Sequence, residues 1–477
     1  MKISKTICLM LCIVTVFCGV TGVCAAEYDV SVSAGCHSVD ASVAIGGSEK
    51  MVDTAKAVVL YERSTGTLVY SYQPDEKIYP SSMVKLMTAI VALEEGNLTD
   101  VVTVTRSALD SVAIGSVSAG LSRGEEISLY DLLMCMMVAS ANDASAVIAE
   151  HIAGSQEAFV ALMNDKAAEL GCTGTHFSNV HGLDHEENYT TARDILRILE
   201  TGLNIPDFKA MFETASYTVP ATNKSEERLL HTTNHMMSTE SIKKYLDERV
   251  TGGKTGATDK AGRCLAVTAT IGDMELIGIV MGAKATYSSD GSYLTRFGSF
   301  EEMAEILDYA QDHFERRQLF YENQVISQYP VANGSNNVVT MPVSAGYCVL
   351  PKSIQPEQLR WEYAVDVDHL TAPVAQGEKI TSMEVWYGDI CLARTDLVAM
   401  NAVSVFVPYS EPKDDTDAKN EQAHGEILAM ILGVILVIAV LVIAGFFMRR
   451  VIQTMIIKAR IRRRRRERRR NRNARME

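Results

Sequence analysis

The stretch Tyr79-Pro80-Ser81-Ser82-Met83-Val84-Lys85-Leu86-Met87-Thr88-Ala89-Ile90-Val91-Ala92-Leu93 sets one lysine inside an apolar run. No Gly or Pro interrupts it from Met83 to Leu93, and apolar residues cover nearly every face of the helix it predicts. A helix that is apolar all round is a buried one. A buried ammonium is costly unless it is paired or neutralised. Ser82 and Lys85 are three residues apart, so on a helix they share a face. Ser82 falls in the first turn, where backbone N–H groups are free and the helix dipole is positive. Burial lowers the proton affinity of a lysine and lets its amine act as a base near neutral pH. The two side chains therefore read as a serine nucleophile with a lysine base. The S-x-x-K pattern is weak alone. Ser241-Ile242-Lys243-Lys244 repeats it in a polar stretch, where we expect no function.

Around this helix the chain alternates strands and helices. Ala57–Tyr61 and Thr67–Tyr70 flank Arg63-Ser64-Thr65-Gly66 as a hairpin. Helical stretches run from about Leu129 to Ala153 and from Glu157 to Leu170, and Phe300–Phe314 has helical period. Cys264–Ile271 and Leu276–Met281 form a second strand pair, turned at Gly272-Asp273. This order predicts a sheet with helices packed on it. Beyond Gln318, short β-rich runs alternate with Gly, Pro and Asn, as in Tyr347–Leu350 and Met383–Tyr387, and predict a small all-β domain.

Charge and hydropathy divide the chain further. The net charge is −14 over 477 residues. From Arg449 onward there are 14 Lys/Arg against two Glu, a net of about +12, which leaves −26 on the rest. An acidic body is a poor partner for nucleic acid. Lys2 and Lys5, the apolar run Ile7–Val20 and small residues at Cys24-Ala25-Ala26 have the layout of a signal peptide. A retained N-terminal anchor is the alternative. Ile427–Met448 is a 22-residue run without charge. As a helix it spans about 33 Å, enough for the bilayer core. The basic residues after it predict a cytoplasmic C-terminus and contact with anionic lipid. Cys36, Cys135, Cys172, Cys264, Cys348 and Cys391 are widely spaced with no C-x-x-C, so no metal site is expected; most read as small apolar fillers. The expected organisation is signal peptide 1–26, linker 27–50, catalytic domain 51–318, β-rich domain 319–408, acidic linker 409–426, transmembrane helix 427–448 and basic tail 449–477.

Two further motifs carry chemistry. Ser140-Ala141-Asn142 is a polar corner between apolar helical runs, whose buried polar groups need partners. It reads either as a helix cap by Asn142 or Asp143, or as a proton relay at Ser140 with Asn142 on a substrate amide. Lys254-Thr255-Gly256, ahead of the strand Cys264–Ile271, offers a cation, a hydroxyl and close backbone approach to a carboxylate. The spacing of a phosphate loop is absent.

In this order, S-x-x-K, S-x-N and K-T-G resemble the penicillin-binding serine D-alanyl-D-alanine carboxypeptidases. Pro80-Ser81-Ser82, Ser140-Ala141-Asn142-Asp143-Ala144, His181-Gly182-Leu183-Asp184 and Ala261-Gly262-Arg263-Cys264-Leu265 add to the likeness. Ala372–Gly377 resembles the family's C-terminal β domain, so the resemblance covers roughly residues 50 to 408. It implies an α/β (α+β) fold, an antiparallel sheet with flanking helices of the serine β-lactamase/DD-peptidase type. It implies Ser82 as nucleophile, Lys85 as base and Ser140 as relay. Asn142, Lys254, Thr255, Gly256 and Ala257 would bind substrate, with the N–H groups of Ser82 and Ala257 as oxyanion hole. The substrate would be peptidoglycan stem peptides ending in D-Ala-D-Ala, with β-lactams as covalent inhibitors and no cofactor. Arg296 is a looser match to the carboxylate, and His181 reads as a turn residue. Glu200-Thr201-Gly202-Leu203-Asn204 matches the E-x-x-L-N of class A β-lactamases, but lies too far from Ser140 for that family. The rivals to the carboxypeptidase reading are a β-lactamase and a non-catalytic wall-binding protein on the same fold.

Overall fold

The computed structural model describes residues 43–237, 242–289, 294–364, 370–408 and 418–473. The predicted signal peptide, most of the first linker, Ser241 and residues 409–417 of the acidic linker lie outside them. The described residues up to Val405 form one compact unit, and those from Phe406 onward form another.

The centre of the first unit is a five-stranded antiparallel sheet. Its strands are β1 (Ala57–Glu62), β2 (Thr67–Tyr72), β3 (Val250–Thr258), β4 (Gly262–Ile271) and β5 (Met274–Ala283), in the order β2-β1-β5-β4-β3. Every residue of β1 is buried because both faces of the sheet are covered. Ala57, Val59 and Tyr61 join the core beneath the helices α1 (Val84–Glu95), α2 (Leu129–Met137), α3 (Asn142–Ala153), α4 (Gln156–Glu169) and α5 (Ala192–Leu203). Val58 and Leu60 pack on the other face against α6 (Gly298–His313). This is the period-2 alternation of a strand serving two cores. The hairpin β1–β2 is closed by Glu62, whose carboxylate accepts from Ser64 Oγ (2.8 Å) and from the N–H groups of Thr65 (2.8 Å) and Glu275 (3.0 Å).

A second five-stranded antiparallel sheet follows, ordered Ser327–Tyr329, Val338–Pro342, Ile390–Ala399, Lys379–Tyr387, Arg360–Tyr363. A separate strand pair, Phe314–Phe320 with Gly346–Pro351, accompanies it. Four cysteines, Cys135, Cys172, Cys264 and Cys348, are free and buried, as fillers would be. Cys391 is disulfide-bonded.

The expected boundaries need three corrections. The domain break is not at 318/319, because Phe314–Phe320 is a single strand paired with Gly346–Pro351. Helix α6 passes into it at Phe314 without a Gly or Pro, so the sequence gives no punctuation there. The first linker is not loose at its end: Ala44 is buried, and the N–H groups of Ile45 and Gly46 donate to Leu68 O (2.9 Å) and Val69 O (2.7 Å). Finally, one helix, α7 (Ala418–Asn473), takes in the end of the acidic linker, the apolar run and most of the basic tail. Ala, Lys, Glu, Gln and Arg are strong helix formers, so a helix begun in the apolar run propagates both ways. Its segment Gly425–Lys458 is long and apolar enough to cross a membrane.

Candidate active site

Ser82 stands where a short 3-10 turn, Ser81–Met83, leads into α1. Ser81 has φ of 50°, a left-handed conformation that costs energy in a residue with a side chain. Two glycines make room for it. A Cβ on Gly182 would sit 1.8 Å from Ser81 O, and Gly182 itself has φ of 89°. A Cβ on Gly256 would lie 3.1 Å from Ser81 Cβ and 3.1 Å from Ser82 N. The K-T-G strand β3 and the His181-Gly182 turn thus close on the start of α1 from separate parts of the chain.

Lys85 is fully buried. Its Nζ donates to Ser82 Oγ at 3.0 Å, Asn142 Oδ1 at 2.6 Å and His181 O at 2.7 Å. An amine has three donors, and these acceptors occupy all of them in the charged form. Burial first, and then the charge of Lys254, lower its proton affinity well below the ordinary lysine value, against an opposing pull from Asp143. This answers why a lysine sits in an apolar helix: three groups from outside the apolar run meet it.

Ser140 has φ of 61° and is buried just before α3. Lys254 Nζ donates to its Oγ at 2.7 Å and to Thr255 O at 3.0 Å. Burial pushes the Lys254 amine down from 10.5 to about 7. Neither Asn142 nor Asp143 caps α3; its N-cap is Ala141, without a side-chain bond. Asn142 gives its oxygen to Lys85 instead. Asp143 is buried and accepts from Ser118 Oγ (2.6 Å), Ala119 N (2.9 Å) and Leu121 N (3.1 Å), which fastens the 118–121 loop beside the site.

The serines and the K-T-G strand share one cleft of about 430 Å³, which opens on Ser82, Ser140, Thr255, Gly256 and Ala257. Its walls include Thr233, His235, Arg263, Phe297 and Phe300, none of which we had assigned to the site from the sequence. The Thr233 and Thr255 hydroxyls hydrogen-bond to each other. Among the described residues His235 Nδ1 is buried without a hydrogen-bond partner, and burial lowers the proton affinity of the ring. Its ring packs edge-on against Phe297 (5.4 Å) and Phe300 (5.3 Å).

The other expectations are placed as follows. His181 is a turn residue: its Nδ1 accepts from Leu183 N (3.2 Å), and burial with the nearby Lys85 pushes its pKa down to about 4. Glu200 is not in the cleft. It pairs with Arg63 at 3.0 Å, beside a separate hollow of about 600 Å³ that holds none of the three motifs. Arg296 is exposed and paired with Glu301. Lys244 of the second S-x-x-K is exposed, with Nζ 4.4 Å from the Tyr245 ring centre. Among the described residues no group of His, Cys, Asp and Glu could hold a metal ion.

Residues 47–285 match the family model of D-alanyl-D-alanine carboxypeptidases, and residues 314–405 match the C-terminal domain of penicillin-binding protein 5. The chain is 30% identical to the D-alanyl-D-alanine carboxypeptidase DacF of Bacillus subtilis over 361 residues, 74% of this chain and 86% of that protein. It is 29% identical to DacC of Escherichia coli over 73% of this chain and 84% of that one. Among solved structures, penicillin-binding protein 5 of Haemophilus influenzae superposes with a TM-score of 0.59 at 28% identity, covering 75% of this chain and all of that one. Penicillin-binding protein 6B of Escherichia coli gives 0.56 at 26%, covering 76% and 100%.

Proposed function

The chain belongs to the D-alanyl-D-alanine carboxypeptidase family, and we propose that it is a serine peptidase removing the terminal D-alanine from peptidoglycan stem peptides. The observation that carries this is the buried Lys85 amine 3.0 Å from Ser82 Oγ.

In this mechanism Ser82 Oγ attacks the carbonyl between the two D-alanines while Lys85 takes its proton. The oxyanion rests on the N–H groups of Ser82 and Ala257; β3 passing within contact of Ser82 N supports that pairing. Ser140, bonded to Lys254, passes a proton to the departing D-alanine nitrogen. Water then attacks the acyl-enzyme, and Ser82 recovers its proton. Asn142 holds Lys85 through Oδ1 and offers its amide nitrogen to the substrate. Lys254, Thr255 and Gly256 line the path of the substrate's C-terminus. β-Lactams would acylate Ser82 by the same route.

The acidic body would face outward after removal of residues 1–26, with the apolar helix as anchor and the basic tail on the cytoplasmic side against anionic lipid; the apolar segment Gly425–Lys458 supports the anchor. The test is release of free D-alanine from a pentapeptide ending in D-Ala-D-Ala. Release by the wild type and its loss in Ser82→Ala support the proposal. Release undiminished in that variant refutes it.

A further inference from the structure

A peptide ending in D-Ala-D-Ala brings a carboxylate into the cleft, and the inference below rests on that reading of the site. The question is which cation meets it. Lys85 spends its donors on Ser82, Asn142 and His181. Lys254 is buried, turned to Ser140 and Thr255 O, and held near half-protonation at neutral pH. Burial lowers the proton affinity of His235 and so disfavours its charged form. Arg296 is engaged by Glu301 and does not line the cleft.

Arg263 remains. It lines the cleft, and among the described residues no acid or other hydrogen-bond acceptor holds its guanidinium. Its contact is with the face of Phe297, 5.6 Å from the ring centre. That stacking fixes the fork without using its donors. In the β3–β4 ladder Arg263 pairs with Ala257 and Leu265 with Thr255. Paired residues share a sheet face, so Arg263 is the diagonal neighbour of Thr255, within reach of a long side chain. Thr255 and Thr233 share one hydrogen bond, which uses one of their two hydroxyl protons and leaves the other for an anion.

We propose that Arg263 supplies the counter-charge for the substrate's terminal carboxylate, forming one anion subsite with the Thr233–Thr255 hydroxyl pair and held in place by Phe297. The guanidinium fork matches the two oxygens of a carboxylate. Arg263 is then a specificity-determining residue: it selects peptides with a free C-terminus.

The experiment uses the full chain in detergent with two peptides, one ending in D-Ala-D-Ala and one in D-Ala-D-alaninamide. The quantity read is the ratio of their kcat/KM values. Loss of a charge-assisted hydrogen bond predicts that Arg263→Gln lowers this ratio roughly tenfold to a hundredfold, mainly through KM for the free acid. Arg263→Lys recovers part of it, because it keeps charge but not the fork. A ratio unchanged in Arg263→Gln, whether both substrates slow together or neither does, overturns the proposal, since a merely structural arginine would act on both alike. If the wild type turns over neither peptide and Ser82 takes no β-lactam, the peptidase reading falls and the subsite with it.

Discussion

Replacing Lys254 with methionine removes an amine that the fold buries almost without exposure. Folding lowers its pKa from 10.5 to about 7, chiefly by desolvation. A tenfold change in proton affinity is about 1.4 kcal/mol, so burying the charged form costs roughly 5 kcal/mol. Between pH 7 and 10.5 the unfolded chain holds a proton on Lys254 that the folded chain does not. Stability of the wild type therefore rises with pH across that window, by about 1.4 kcal/mol per pH unit. Below pH 7 the full cost is present. The Lys254→Met variant has no such dependence, and because the slope is only half-developed at pH 7 its stability relative to wild type should fall by roughly 2 kcal/mol from pH 7 to pH 9. The lost bonds to Ser140 Oγ and Thr255 O shift the comparison without tilting it. Urea unfolding of the unit ending at Val405, followed by circular dichroism at pH 7, 8 and 9, gives the difference directly. A difference that stays flat with pH would show that Lys254 keeps ordinary proton affinity, and the electrostatic reasoning would be wrong.

Other substitutions test the frame of the site. Gly182→Ala puts a methyl against Ser81 O at a φ that disfavours it, so we expect destabilisation of at least about 2 kcal/mol and slower acylation of Ser82; an unchanged melting temperature and acylation rate would contradict this. Glu200→Gln breaks the half-buried pair with Arg63 and should change stability by about 1 kcal/mol or less. The lifetime of a penicilloyl adduct should stay within about twofold, and a tenfold longer lifetime would return Glu200 to the deacylation machinery.

The helix from Met83 was legible because its lysine breaks a simple pattern, and Ser82 is its neighbour on one face. Lys254-Thr255-Gly256 was legible as a strand segment with polar side chains and a missing one, and the structure places it at the sheet edge. What the sequence hid are the residues that meet only through topology. Thr233 reaches Thr255, and Phe297 reaches Arg263, across turns and strands with no periodic signal. Asn142 reads from sequence as a cap, because its type favours caps, or as a substrate contact. Its oxygen goes to Lys85 instead, 57 residues away in the chain, where desolvation makes an unpaired ammonium the costlier fault. The boundary at Phe314 was hidden for a different reason: a helix that turns into a strand in mid-run leaves no Gly or Pro to read.

Ser82, activated by Lys85, should form an acyl-enzyme that water releases slowly when the acyl group comes from a β-lactam. Intact mass of the protein after addition of benzylpenicillin tests it most directly, with Ser82→Ala as control. A one-to-one adduct on the wild type that persists for minutes or longer, and none on the variant, is the expected result. A folded wild type that gains no mass, or an adduct that survives the loss of Ser82, would contradict it.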